Sequence, residues 1–441
     1  MIINPLVQEL PWKPPSDALS LLKDQPWAAF LDSGGSTQTQ RGRWSYIGLY
    51  PSETLTVEKN NIIRNDQYVS GSVWDHLQEM AQSVQHTLST HIPFYNGVIG
   101  MASYEAGLYL ENVLSRHHSC TPLFIAATYN NILAFDRQEQ KCWWVSKDQL
   151  PPPTWPYPFS QNQPLSLDFQ AEQSSELYQR SVQKIINYIG AGDIFQANLT
   201  MRWFAKIPYD FNEIAAYDIL RTTSPAPFGA YLKSPHFSLL SASVERFISL
   251  SSDGRIETRP IKGTAPLGKT AQEQEFYTAK LASDPKENAE NLMITDLMRN
   301  DIGKISQLGS VHVPELSRVE QFQHVLHLVS SVQGKIQTGF TAIDLLKATL
   351  PPGSVTGAPK KRALEIIDEV ETSSRGAYCG SVFRIGQDGS LDSSVIIRSI
   401  SRTPSHLSIG AGGGITWLSD PQKEYNETLL KAAPLLKAFQ K

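Results

Sequence analysis

Strand-like and helix-like stretches in this chain come in groups rather than in alternation, and that grouping constrains the fold more than any single motif. Phe30-Leu31-Asp32-Ser33 leads into Gly34-Gly35-Ser36, and Gly42-Arg43-Trp44-Ser45-Tyr46-Ile47-Gly48 reads as a further strand, alternating and aromatic. Strand patterns follow at 94–101, then at 132–135 and 142–145 as a pair, and again at 193–200, 229–232, 237–243 (leading to Val244-Glu-Arg-Phe247) and 255–258. Helical spacing is confined to a few places. These are 73–88, 213–221, 361–370, two stretches that open at Asp284-Pro285 and Asp420-Pro421, and 175–189, where Leu177, Val182, Ile185, Ile186 and Ile189 share a face. There is no regular strand-helix-strand alternation, so the expected class is α+β with a largely antiparallel sheet architecture.

The run Pro151-Pro-Pro-Thr-Trp-Pro-Tyr-Pro158 and the polar residues after it fit neither a helix nor a central strand. It divides the chain into an N-terminal region (1–150), a connection (151–169) and a C-terminal region (170–441). The first region carries no catalytic cluster, and its aromatic content suits a packed sheet core. A chain of 441 residues buries enough surface to need neither disulfides nor a structural metal. Its formal net charge of −4 argues against a polyanionic partner such as DNA. Cys120, Cys142 and Cys379 are scattered and lack metal-ligand spacing. With no signal-peptide pattern and no membrane-length apolar run, the expected location is the cytoplasm.

Three features carry chemistry. The first is Arg259-Pro-Ile-Lys262-Gly-Thr264, where Pro260 restricts and Gly263 frees the backbone, so the preceding strand is expected to end in a shaped turn that aims Lys262. A solvated surface lysine is the plainer alternative. The second is a pair of matching helix starts, Asp284-Pro285-Lys-Glu287-Asn-Ala-Glu290 and Asp420-Pro421-Gln-Lys-Glu424-Tyr-Asn-Glu427. Each has an Asp N-cap, a Pro in the first turn and two glutamates three residues apart on one face. They read either as first-turn charges that favour the helix dipole, with Glu427 and Lys431 as a surface pair, or as four carboxylates facing one another around a hard cation. Mg²⁺ suits such a site, whereas zinc would want His or Cys nearby.

The third feature is a pair of glycine-rich stretches, Pro351 to Lys360 and Ile409 to Ile415. Neither has the spacing of a nucleotide-binding loop. Both are expected to be loops that place backbone amides near a helix start, either as plain tight turns or as anion sites. Arg398 is a charge in an apolar alternation, suited to clamping a carboxylate or to an internal salt bridge.

From about residue 170 onward the chain resembles the chorismate-utilising enzymes. Seven motifs in one order carry the resemblance: Gly192-Asp-Ile-Phe-Gln196, Glu245-Arg-Phe247, Pro260-Ile-Lys-Gly-Thr264, Ala289 to Asp301, Gly353-Ser-Val-Thr-Gly-Ala-Pro-Lys360, Gly410-Ala-Gly-Gly-Gly414 and Asp420 to Glu427. Leu31-Asp32-Ser33 and Arg43-Trp44-Ser45 extend it loosely to the N-terminal region, which is similar to the tryptophan-binding part of anthranilate synthases and is expected here to be a structural remnant. The resemblance implies two stacked, largely antiparallel sheets around the active site, with helices outside. It implies that Glu290 and Glu427 coordinate Mg²⁺ and that Glu287 and Glu424 assist through water, so that the metal holds the ring carboxylate of chorismate. Tyr378, Arg398 and the amides near Gly413 and Gly414 would hold the enolpyruvyl carboxylate. Thr356 and Lys431 would line the ring site. His327 would lie near the leaving hydroxyl, or be an ordinary core histidine.

The resemblance also implies a branch. Anthranilate synthases carry alanine where Lys262 stands, and in them ammonia attacks ring C2. In the branch that aminates C4, giving 4-amino-4-deoxychorismate for the 4-aminobenzoate and folate route, the lysine attacks C2 itself. Glu245 then protonates the departing C4 hydroxyl, and ammonia adds at C4 and expels the lysine. That role needs a neutral lysine and a dry pocket around Glu245. Gln196 stands where the isochorismate and salicylate branches have a water-activating lysine, which favours ammonia as nucleophile. Val244 replaces a proline usual before the Glu-Arg-Phe. No fused glutaminase or lyase region is expected, so ammonia would come from solution or from a separate glutamine amidotransferase subunit. The rival readings are an anthranilate synthase large subunit that happens to carry Lys262, and a silent homologue that only binds a carboxylate ligand.

Overall fold

In a computed structural model of the chain, residues 4–35, 42–59, 61–83, 90–155, 165–321 and 325–440 are described. Among them two sheets of twelve strands each form the centre of the molecule, and every strand pairing is antiparallel. Strands from both ends of the sequence build each sheet. In the first, Ala28–Asp32 pairs with Phe228–Ser234, and in the second, Gly97–Ala102 pairs with Ser381–Gly386.

Two-residue periodicity explains the layering. In Asn131–Asp136, Ile132 and Ala134 pack between the sheets against residues such as Phe94, Ile99 and Val382. Leu133 and Phe135 face the other way, onto helical residues Leu19, Tyr217, Leu220 and Leu435. The helices Ser175–Gly190, Pro285–Gly303, Ala342–Thr349 and Lys360–Val370 close the opposite side through Ile185, Ile294, Leu346 and Ile367. The α+β class and the antiparallel, stacked arrangement therefore stand as expected.

Local expectations mostly hold, with shifts at the edges. The 132–135 and 142–145 strands do pair, as Asn131–Asp136 with Lys141–Ser146. The 193–200 strand starts later and runs longer, Gln196–Ala205. The 73–88 helix is seen as Val73–Ser83, and its remainder lies outside the described residues, as does 156–164 of the connection. Two stretches of the sheets differ from expectation. The lysine-bearing stretch is not a turn. Ile261–Pro266 is a strand that pairs with Val325–Lys335, and its register slips between Lys262 and Thr264, where Gly263 takes φ +69°. A bulge with glycine in the left-handed region re-aims a side chain without ending the strand. The Gly410–Gly414 run is not a loop but part of strand Leu407–Ile415, paired throughout with Gln196–Ala205. Glycine is needed there for close approach. A Cβ on Gly410 would collide with the Tyr378 ring, and one on Gly412 with the backbone of Leu199 and Thr200.

Candidate active site

The two Asp-Pro helices open as their sequence predicts. Asp284 accepts hydrogen bonds from the amides of Lys286 and Glu287, and Asp420 from that of Lys423. Glu290 of the first helix and Glu424 and Glu427 of the second approach the Gly413–Gly414 backbone. A methyl group on Gly414 would lie 3.3 Å from Glu290 Oε2, and one on Gly413 would lie 3.6 and 3.7 Å from Glu424 Oε2 and Glu427 Oε1. Glu287 reaches towards the bulge on the lysine strand, with its Oε2 3.1 Å from where a Cβ on Gly263 would sit. Four carboxylates thus line one cleft.

Three lysines share the cleft. Lys286 Nζ stands between the helices, 3.4 Å from Glu424 Oε1 and 3.9 Å from Glu290 Oε1. Lys431 pairs with Glu427 at 2.7 Å and donates to the Gly412 carbonyl. Lys262 is half-buried and donates to the Ser354 carbonyl at 3.4 Å. Burial raises the Glu290 and Glu287 carboxyls above their ordinary range, and Lys262 and Lys286 oppose the shift at Glu290. At Glu427 burial pulls upward too, but Lys431 wins and its pKa ends below the usual value. Among the described residues no three acidic, His or Cys side chains form a metal cage on their own.

Glu245 lies on the other side of Lys262, just before strand Arg246–Leu250. Burial raises its pKa, while a hydrogen bond from Ser354 and the charge of Lys262 pull it back. Ser354 thus touches both groups. His327 occupies the neighbouring strand opposite Thr264. Its Nδ1 is 3.1 Å from the Gly263 carbonyl and 3.1 Å from Thr264 Oγ1, and burial lowers its pKa.

The remaining candidates ring this cleft. Gln196 is buried against Gly414 with its Oε1 unpartnered. Thr356 is buried, and its hydroxyl donates to the Gly353 carbonyl, so the 351–360 stretch satisfies its own turn. Tyr378 lies flat on Gly410. Arg398 departs from expectation. It is not inside a strand but at the corner between Leu391–Val395 and Ser399–Arg402, with φ +51°; the residue as a whole is exposed, yet burial around its guanidinium lowers its pKa. The corner arises because the chain leaves one sheet and enters the other there.

Sequence reasoning missed Lys286 and Ser354. The four-residue spacing of Lys286 and Glu290 was a usable signal. Ser354 had none, since its partners lie 92 and 109 positions away. A separate cavity of about 160 Å³ opens between the sheets, lined by Ser33, Tyr46, Phe228, Arg246 and Arg384. The Leu31-Asp32-Ser33 and Trp44 motifs border it.

A family model described as chorismate binding enzyme matches residues 29–437. The chain is 37% identical to aminodeoxychorismate synthase component 1 of Klebsiella aerogenes, with 99% of each covered. It is 34% identical to the Escherichia coli protein of that name, over 100% of this chain and 99% of the relative. It is also 34% identical to anthranilate synthase component 1 of Thermus thermophilus, over 96% and 94%. Among solved structures, anthranilate synthase component I from Streptococcus pneumoniae superposes with a TM-score of 0.79 at 30% identity, covering 89% of this chain and 92% of that one. The menaquinone-specific isochorismate synthase of Escherichia coli shares the fold, with a TM-score of 0.74 at 17% identity over 99% and 94%.

Proposed function

The chain belongs to the chorismate-binding enzymes, and from that premise we propose that it aminates chorismate at C4, as an aminodeoxychorismate synthase component 1. The observation that carries this reading is the bulged strand that presents Lys262 beside Glu245, with Ser354 touching both. An enzyme that lets ammonia attack C2 directly has no use for a lysine at that place.

In this reading the Lys262 amine forms a bond to C2, the ring double bonds shift, and the C4–O bond breaks. Glu245 gives its proton to the departing hydroxyl, which leaves as water. Ammonia then bonds to C4, the double bonds shift back, and the C2–Nζ bond breaks to free the lysine. The enolpyruvyl group is retained throughout. Two displacements restore the configuration, and the lysine shields C2 from ammonia. Tyr378 and the Gly410–Gly414 strand form one wall for the substrate, and Arg398 offers a guanidinium for a carboxylate.

The donor set fits Mg²⁺, which takes few protein carboxylates, keeps waters and accepts an anionic substrate oxygen. Glu290 and Glu427 would hold it, with Glu287 and Glu424 behind water. When bound it would neutralise the ring carboxylate. Lys286, which bridges Glu290 and Glu424, is half-buried and would have to yield that place to the metal. Ammonia would be delivered by a separate glutamine amidotransferase subunit, a reading supported by the words "component 1" in the names of the relatives. No helix among the described residues is long and apolar enough to cross a membrane, in keeping with a cytoplasmic enzyme.

The test is product analysis after incubation with chorismate, Mg²⁺ and an ammonium salt at mildly alkaline pH. A product that retains the enolpyruvyl group and has exchanged hydroxyl for amine is expected. Anthranilate with pyruvate would favour the second reading, which the 34% identity to an anthranilate synthase keeps in view. No turnover with excess ammonia would point to a silent homologue.

A further inference from the structure

The reading of Lys262 and Glu245 as reacting partners makes Ser354 the point on which their geometry turns, and Ser354 sits on a short irregular segment that something must hold. Its carbonyl accepts from Lys262 Nζ and its hydroxyl meets Glu245. The segment turns tightly there, with the Val355 amide donating to the Pro352 carbonyl and the Thr356 amide to Gly353. Gly353 is wedged against Leu297 and Met298 of the Pro285–Gly303 helix, where a Cβ would sit 2.9 and 3.1 Å from their side chains. Arg375 donates to the Val355 carbonyl at 2.7 Å.

The anchor of this segment is a buried ion pair. Lys360 opens the next helix and is only 7% exposed, and Asp301, near the end of the Pro285–Gly303 helix, is 1% exposed. The Lys360 ammonium spends its three protons on Asp301 Oδ2, the Thr349 carbonyl at 3.1 Å and the Pro351 carbonyl at 3.2 Å. Asp301 Oδ1 takes a further bond from Lys304 at 3.0 Å. Stability alone does not call for such a pair, since two apolar residues of similar volume often serve as well. An apolar pair cannot direct the carbonyls of Thr349 and Pro351. The helix that carries Glu287 and Glu290 at one end thereby grips, at the other, the segment under the reacting lysine.

We propose that the buried Lys360–Asp301 pair is a positioning device, fixing the 349–356 segment so that Ser354 holds Lys262 and Glu245 at their working separation. It rests on the amination reading only for the names of the two reacting groups. The test compares wild type with Lys360→Met, the double variant Asp301→Leu/Lys360→Met, and Ser354→Ala. Each is read by Tm, by kcat and KM for chorismate consumption, and by the rate of Lys262 acetylation with acetic anhydride, followed by peptide mass spectrometry without substrate.

Lys360→Met leaves the buried Asp301 carboxylate with Lys304 as its remaining cationic partner and lowers Tm, and the double variant recovers it. The double variant nevertheless stays at least about tenfold below wild type in kcat with KM little changed, because misplacement of reacting groups acts on the chemical step. Its Lys262 acetylates faster, since the ammonium has lost its carbonyl partner and swings into solvent. Recovery of kcat together with Tm, or wild-type acetylation in the double variant, overturns the proposal. If the double variant does not regain its Tm, Ser354→Ala decides, because it leaves the buried pair in place. A lower kcat at wild-type Tm supports the device, and an unchanged kcat overturns it. Should the wild type fail to consume chorismate, the amination reading falls, while the acetylation comparison still shows whether the pair positions Lys262.

Discussion

Lys262 and Glu245 carry the sharpest consequences at the scale of single residues. Lys262→Ala should lower C4 amination by at least about 100-fold, since a placed nucleophile is removed, with some anthranilate appearing as C2 opens to ammonia. Chromatography with mass detection checks both outcomes, and an unchanged rate would remove the covalent role. For Glu245 the sign follows from its raised pKa. A general acid works while protonated, so its contribution is present below that pKa and is lost as pH rises through it. The kcat profile should therefore show an alkaline limb, and Glu245→Gln should abolish that limb while slowing the reaction by about 10²-fold to 10⁴-fold. Ser354 was invisible at this scale in the sequence. Its partners are brought to it by sheet pairing, and no local pattern encodes that.

Secondary-structure elements set the next level. The two Asp-Pro helix starts were legible because capping is local chemistry: Asp284 and Asp420 bind amides within three residues. Their matching plans left open whether the helices meet; the structure brings Glu290 to Gly414 and Glu424 and Glu427 to Gly413. Glu290→Gln should abolish Mg²⁺ dependence together with activity, measured as rate against Mg²⁺ concentration; full activity would sink the metal assignment. The glycine run misled because glycine signals a turn when read alone, whereas here it allows a strand to pass beneath Tyr378. Gly410→Ala should cost about 1–3 kcal/mol by overpacking and raise KM for chorismate by tilting that ring. Chemical denaturation and steady-state kinetics together test the pair of effects, and a variant as stable as wild type would show that the ring yields freely.

At the scale of the whole molecule, the N-terminal region is joined to the rest by more than shared sheets. Glu105, in helix Tyr104–Leu110, is buried and accepts from the amides of Arg375 and Gly376, some 270 residues away. Arg375 also lies over the Tyr104 ring at 4.4 Å and bonds Glu371. Burial pushes the Glu105 carboxyl up to about 7. The folded state then holds a proton that the unfolded chain has released, in the window from the ordinary carboxylate value to about 7. Stability should fall as pH rises through that window and level off above it. Glu105→Gln, which keeps an acceptor for both amides, should flatten the profile of Tm against pH. An equally steep profile in the variant would assign the dependence to other groups.

What the sequence determined by itself was everything governed by neighbours along the chain. Periodicity marked the strands and helices, capping chemistry marked the helix starts, and the grouping of elements gave the antiparallel α+β class. The resemblance added the candidate residues by position. Tertiary structure alone decided which of these meet. Strand order drew both halves of the chain into both sheets, a one-residue slip at Gly263 aimed Lys262, and Lys286 came to stand among the carboxylates. The physical reason is that pairing register and side-chain encounter depend on contacts between residues far apart in sequence, which no local pattern records.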